Sequence, residues 1–536
     1  MRDQAGMGGG QSEISAGPPA PRKTLGFFTQ EWTPPHQRRT HKVSHVLAAG
    51  LRRQILSGDL ETGRRLPAEA ELTATLGVSR DTLREALRIL ESQSLIEIRR
   101  GRGGGAVVRQ PGLDSVGQYV ALLLQVRQAT LADLQEARWV IEPPAAARFA
   151  LEADQGGLDR LAVLHVAERA ATGDALSFAA AVAAFDQAVT ELSGCISVGV
   201  IAGVLRHIYQ GQVYSVADAA GPGQAEEFAR RVLAAHDRFL DAARRRDGSR
   251  ARQVWSGYLG TPAWPTASPD RDRLPIDVVP MWKAQAGNAG GDSPQRAAAV
   301  VVSEIRSRIA DGRLGDGERL PPLPALMEEF GLSLPTMREA LRILEMELLI
   351  DLRPGDRGGA TVRHPSPRVA AQLAGTVLQA RGTTLADYYA AVRMTQPAMM
   401  EIAATRIGPG PLQELRARAA DVAASTGDTP QFMKTWRSAA MVAFAGTRNP
   451  ALAVVAEMME WVQAGTESVV SADAASLRGV TRSNRRAAAR FADLVSAFAA
   501  RDAAGALSTW TACLEAGAPL FESSGLGRRL VVDLID

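Results

Sequence analysis

Three arginines, Arg80, Arg84 and Arg88, recur at every fourth residue in the stretch RDTLREALRILES. On a helix that spacing sets them in one row, because side chains four apart lie one above the other. Leu83, Ala86, Leu87 and Leu90 fall together on a second stripe of the same stretch. Such a helix buries its leucines and holds out guanidinium groups. Their planar fork can grip guanine O6 and N7, or a phosphate, through two hydrogen bonds. Ser79 is placed to cap the helix, and Thr82 adds a hydroxyl for a base edge or a phosphate. The chemistry is recognition of a polyanion.

Catalysis finds no comparable support. The seven histidines, His36, His41, His45, His165, His207, His236 and His364, are scattered, with no zinc-binding HExxH helix and no GxSxG nucleophile elbow. Cys195 and Cys513 are the only cysteines, so neither a disulfide framework nor a multi-cysteine zinc site can form, and both read as buried thiols. No enzyme activity and no cofactor are expected.

The elements that must position the arginines are legible on either side. Val46, Leu47, Leu51, Ile55 and Leu56 recur at helical spacing until Gly58 stops them. Pro67 opens a second helix with Glu69 and Glu71 in its first turn, and Gly77 closes it. The arginine helix, Arg80 to Ser92, follows directly, which makes a helix-turn-helix. Leu95 to Arg109 then alternates apolar with polar around a glycine-rich centre, the pattern of a β-hairpin. Its Arg99, Arg100 and Arg102, around Gly101, could reach phosphates or the minor groove. A nucleotide-binding loop at residues 101–105 does not fit, since no Gly-Lys-Ser/Thr follows.

This plan occurs twice. Shifting the chain by 254 residues sets 28 of the 55 residues from Ile55 to Arg109 on identical partners from Ile309 to Arg363, without a gap. Arg84 to Glu91 falls on Arg338 to Glu345, and Thr130-Leu-Ala-Asp133 on Thr384-Leu-Ala-Asp387. The second copy keeps Ser333, Thr336, Arg338 and Arg342, with Arg353 in its hairpin, but Leu334-Pro335 replaces Arg80-Asp81. Residues 42–109 carry 12 basic and 8 acidic groups, whereas 295–364 carry 10 and 11. Phosphate attraction therefore favours the first reader.

The whole chain, 536 residues with a net charge of only +3, is long enough for several domains and says little about partners by its charge alone. No run approaches a membrane span and no secretory leader is visible, so a cytoplasmic protein without membrane contact is expected.

The segment LPAEAELTATLGVSRDTLREALRILE resembles the reader of the GntR family of bacterial regulators, and TLADLQEARWVIEPPAAARFA is similar to the opening of the helical ligand domain in its FadR-like branch. The resemblance implies a mainly α fold: a winged helix-turn-helix with a small β wing, then an all-α bundle of the FCD type, here present as a tandem duplication. Arg80, Thr82 and Arg84 match the family's reading positions, Gly101 its wing turn, and Arg138 and Glu142 its ligand domain. The implied partners are a double-stranded DNA operator, a small organic acid effector and another copy in self-association. The implied boundaries are a tail over 1–40, reader one over 41–111, sensor one over 114–259, a linker over 260–294, reader two over 295–364, sensor two over 366–525 and a tail over 526–536. Many members of the branch bind a divalent metal, but the matching positions hold Val182, Asp186, His236 and Tyr258 in the first half and Trp436, Ala440, Phe491 and Cys513 in the second. No metal is expected. Arg138 or Arg393 is then a candidate partner for an effector carboxylate, or for a nearby acidic side chain, and His236 a polar residue of the cavity. The competing reading is a duplicated interaction scaffold, or a co-regulator, whose second reader no longer binds DNA.

Overall fold

The computed structural model describes residues 43–531 other than 57, 93–94, 100–104, 218–221, 261–272, 274, 279–293, 353–358, 466–478, 523–524 and 530. The tail over 1–40 and most of the segment read as a linker lie outside the described residues. The chain divides into two units, residues 1–90 with 96–108, and residues 91–95 with 109–536.

In the first unit, α1 (Val43–Leu56), α2 (Glu69–Leu76) and α3 (Arg80–Ser92) precede β1 (Ile96–Arg99) and β2 (Gly105–Val108). Helix α2 starts at Glu69 with Ala68 as its cap, two residues later than Pro67 suggests. Gly77 ends it at φ 64°, the left-handed conformation that L side chains rarely adopt, and donates its N–H to Thr73 O. This turn re-aims the chain into α3. Strands β1 and β2 pair antiparallel with Ile96 opposite Val108, and the Gly63 and Leu66 N–H groups bond the Val108 and Ala106 carbonyls as a third, short edge. Leu83, Ala86, Leu87 and Leu90 are buried, as are Leu47, Leu51, Leu72 and Leu76.

The second unit begins with a helical bundle: α4 (Leu113–Val126), α5 (Leu131–Glu152), α6 (Gln155–Ala170), α7 (Ala175–Glu191), α8 (Ile196–Ala217), α9 (Pro222–Arg244) and α10 (Gly248–Leu259). Short polar side chains start these helices by accepting orphan backbone N–H groups: Thr130 with Asp133 in a capping box, then Asp154, Asp174 and Asp247. A second reader follows, α11 (Pro294–Ala310), α12 (Leu323–Phe330), α13 (Leu334–Met346), β3 (Ile350–Leu352) and β4 (Ala360–Val362). It repeats the details of the first. Gly331 has the same φ of 64°, and the Gly317 and Leu320 N–H groups bond the Val362 and Ala360 carbonyls. The last bundle is α14 (Pro367–Ala380), α15 (Leu385–Arg406), α16 (Pro409–Ala424), α17 (Thr429–Ala445), α18 (Pro450–Gly465), α19 (Val480–Ala500) and α20 (Ala503–Glu522), in the order of the first bundle.

The two bundles pack on one another through α4, α5 and α8 against α14, α15 and α18, and one apolar cluster runs through both. Cys195 stands where α8 needs a cap and has no oxygen to offer. The Asp387 carboxylate of the other bundle takes over, accepting from Ile196 N at 2.8 Å, Ser197 N at 2.9 Å and Ser197 Oγ at 2.7 Å. At the corresponding start of α18, Asn449 caps its own helix through Leu452 N and donates Nδ2 to Asp133 O at 3.0 Å. That last contact mirrors the one from Cys195 Sγ to Asp387 O at 3.6 Å. Arg127 grips Glu457 through two hydrogen bonds of 2.7 Å, and Arg406 grips Glu136 at 2.6 and 2.9 Å. Within the segment between the halves, Ile276 and Val278 are buried against the first bundle, bonded to Ala129 O and to Gln125 Oε1.

Candidate nucleic-acid interface and effector core

On α3 the arginine row is presented outward: Arg80, Arg84 and Arg88 are exposed while Leu83, Ala86, Leu87 and Leu90 of the same helix are buried. Ser79 Oγ accepts from Thr82 N at 3.1 Å and lies 2.8 Å from Thr82 Oγ1, so the Thr82 hydroxyl is held at the helix start. Arg84 Nε donates to Glu69 of α2 at 3.0 Å, a contact that orients the guanidinium while leaving its side chain 55% exposed. Arg88 lies 3.7 Å from Glu85. An exposed pair of this kind holds its partners weakly, so both arginines can exchange carboxylate for phosphate. The backbone of Arg99 ends β1; its side chain, with Arg100, Gly101 and Arg102, lies outside the described residues, as does Arg353.

The second reader presents less charge. Ser333 and Thr336 share a 2.9 Å contact like that of Ser79 and Thr82, but Thr336 is only 8% exposed. Arg338 is exposed and Arg342 half-buried, and Pro335 stands where the first helix has Asp81. Arg308 of α11 is tied to both Glu304 and Glu329.

The first bundle encloses a charged core. Arg138 donates to Glu142 at 2.7 Å and to Asp186 at 3.1 Å, and Arg206 lies 3.2 Å from Glu142. Burial works against charge on Arg138, yet Glu142 and Asp186 outweigh it and hold the guanidinium more strongly protonated than usual. His236, fully buried, sets Nδ1 2.9 Å from Glu168 and Nε2 3.4 Å from Asp186. Burial lowers its basicity, but the two carboxylates win and carry the imidazole up to about 9. His236 is therefore an imidazolium at neutral pH. Asp186 is held below the ordinary carboxylate range because His236, Arg206 and Arg138 together outweigh its burial. Phe185 and Trp255 sandwich the His236 ring, at 4.2 and 5.8 Å between centroids, and Trp255 Nε1 donates to Glu142 at 3.3 Å. Tyr209 covers the Arg138 guanidinium at 4.7 Å.

Of the four positions matched to the family's metal ligands, Asp186, His236 and Tyr258 do converge, with the Tyr258 hydroxyl 3.1 Å from Asp186. Val182 supplies no ligand atom. A second set escapes sequence reasoning: His165, Glu168 and His236 bring ligand atoms within 4.8 Å of one another. The only sequence signal for it is the His-x-x-Glu spacing on α6. For an ion to bind at either set, His236 would have to give up the proton that Glu168 and Asp186 stabilise, and at the first set the Asp186 oxygens would also have to leave the Arg138 guanidinium.

Arg393 needs correction. The repeat places Val392, not Arg393, opposite Arg138, and Arg393 is not among the residues that line the cavity of the second bundle. Arg206 is the functional candidate missed from sequence; it lies on the interior face of α8, 64 residues beyond Glu142.

An arginine-bearing winged helix and a helical bundle with a polar core define the class, a winged helix-turn-helix joined to an all-helical domain. The comparisons make the class specific. The profile of bacterial regulatory proteins of the gntR family matches residues 44–105 and again 297–361, and the FCD domain profile matches 133–261. The chain thus carries two domains of the gntR type and one FCD domain. It is 34% identical over 151 residues to an uncharacterised HTH-type transcriptional regulator of Mycobacterium tuberculosis, covering 27% of this chain and 60% of that one. It is 33% identical over 104 residues to the Glc operon transcriptional activator of Escherichia coli, covering 19% and 40%. To the Uxu operon regulator of Haemophilus influenzae it is 36% identical over 94 residues, covering 16% and 34%. The matches thus span between about a third and three fifths of these relatives. Among the described residues, no helix is long and apolar enough to cross a membrane.

Proposed function

We propose that this chain is a cytoplasmic, sequence-specific operator-binding regulator in which one polypeptide imitates a dimer. Helix α3 enters the major groove, with Arg80, Arg84 and Thr82 toward bases and Arg88 with the wing toward phosphates. The second reader takes a weaker or divergent half-site through Ser333, Arg338 and Arg342. The observation that carries this is the exposed arginine row on a helix whose other face is buried. The contacts between the two bundles, with Asp387 and Asn449 on either side, support the pseudo-dimer.

The effector is a small organic acid that enters the first bundle. Arg138, Arg206 and the charged His236 supply the cations a carboxylate needs, once it displaces Asp186 or Glu142 from them. Operators recovered by sequencing the genomic DNA bound to the full chain test the first claim. On such an operator Arg84→Ala should weaken binding by about 1–3 kcal/mol and Arg338→Ala by less. Equal losses, or two equally protected symmetric half-sites in a footprint, would refute the unequal readers. Absence of any operator would leave the scaffold reading. A thermal-shift screen of hydroxy and dicarboxylic acids tests the effector class, and no shift with any of them would reduce the charged core to a structural network.

A further inference from the structure

The second bundle has a cavity of about 100 Å³, lined by residues of α15, α17, α18, α19 and α20. That is room for a ligand of roughly five to seven non-hydrogen atoms. Glu460, Gln396, Trp436, Tyr389 and Phe432 line it. Glu460 is 3% exposed and accepts a hydrogen bond from Gln396 Nε2 at 3.3 Å.

The duplication reveals how this core differs. At the repeat offset, Glu460 occupies the place of Arg206, Val392 that of Arg138, Gln396 that of Glu142, and Ala440 that of Asp186. Phe491 takes the place of His236, one residue further along. The interior cations of the first sensor are gone, and where one of them stood there is now a carboxyl group. A carboxylate ligand would meet repulsion here. We propose that the cavity of the second sensor binds a small primary amine, whose ammonium group pairs with Glu460 while its carbon chain lies against the Trp436 ring.

An ammonium adds donors to a buried carboxylate that otherwise has the Gln396 amide and the charge of Arg437, and the indole face covers the carbon chain. The charged and titratable groups around Glu460 are Tyr388 and Tyr389 on α15, Arg437 on α17 and Cys513 on α20. Burial raises Glu460 to about 7, with Gln396 and Arg437 pulling the other way. Arg437 is half-buried, and burial depresses its own basicity. At neutral pH the Glu460 carboxyl thus exchanges its proton readily, and an arriving ammonium would expel that proton.

Calorimetry on the full chain without DNA decides this, with butylamine and its uncharged counterpart 1-butanol as probes. Butylamine should bind at least about tenfold more tightly than butanol. Its affinity should rise about tenfold between about pH 6 and about pH 8, as the ionised fraction of Glu460 grows. Proton release, read from the dependence of the heat on buffer, should accompany it near neutrality. Glu460→Gln should abolish butylamine binding. Equal binding of butanol, a flat pH profile, no butylamine binding, or binding unchanged in Glu460→Gln would overturn the proposal. The pH profile of the natural chain decides alone if the variant fails to fold. Because no DNA is present, these outcomes are separate from the fate of the operator reading.

Discussion

The cores of the two helical bundles share a scaffold and differ in nearly everything charged. In the first, Arg138, Arg206 and His236 meet Glu142, Asp186 and Glu168 away from water. In the second, the corresponding positions hold Val392, Glu460, Phe491, Gln396, Ala440 and Val422. The tryptophan contact survives the exchange. Trp255 Nε1 donates to Glu142 at 3.3 Å, and Trp510 Nε1 donates to Gln396 at 3.2 Å. The tryptophan needs an acceptor in either environment, and a neutral amide replaces the carboxylate once the guanidinium that balanced it is gone. The comparison teaches that such a cluster changes as a set. Removing one member strands a buried charge, whereas replacing the members together with apolar groups can be close to neutral.

The sharpest way to break that lesson is to change one member alone. His236→Phe, which copies the second core at a single position, should cost about 3–5 kcal/mol, because Glu168 and Asp186 lose their shared cation. Adding Glu168→Val and Asp186→Ala should recover part of this loss. Thermal unfolding of the single and triple variants beside the natural chain checks the order, and a triple variant less stable than the single one would contradict it.

The pH dependence separates the same two cores. His236 is raised to about 9 in the fold, so its contribution is complete below its unfolded value near 6.5 and disappears as pH climbs through about 9. Glu460 is raised to about 7, so its contribution is complete below about 4.5 and disappears as pH climbs through about 7. Melting curves across pH should show two declines. Glu460→Gln should remove the lower one and His236→Phe the upper one, and a single decline insensitive to both would dissolve the distinction.

A smaller effect belongs to the contact between the bundles. Asp387→Ala leaves the first turn of α8 without its acceptor and should cost about 1–2 kcal/mol. Asp133→Ala should cost only its local capping box, about 1 kcal/mol. Stability measurements that rank these two in reverse would show that the α8 start does not depend on the other bundle.

Much of each reader was legible from local signals. Ser79 and Gly77 fix the start of α3, the leucine stripe fixes its buried face, and the alternation after Leu95 fixes the hairpin. The start of α2 was missed by two residues because Pro67 and Ala68 lie just ahead of the first helical turn. The sensor cores were far less legible. His236 finds Glu168 at a separation of 68 residues and Arg138 finds Asp186 at 48, and no helical or strand period links such positions. Arg393 misled for a related reason, since its identity draws attention while its register lies one residue past the place of Arg138, which Val392 fills.

The sequence by itself determined the helices, the turns, the doubled plan and the row of arginines, because caps, glycine conformations and apolar periods act over a few residues. Only the tertiary structure decided which buried charges neutralise one another, that Asp387 caps a helix of the opposite bundle, and that one core balances Arg138, Arg206 and His236 against three carboxylates while the other buries Glu460 beside Gln396. Those outcomes depend on desolvation and on distances between segments far apart in the chain, quantities that exist only once the helices have packed.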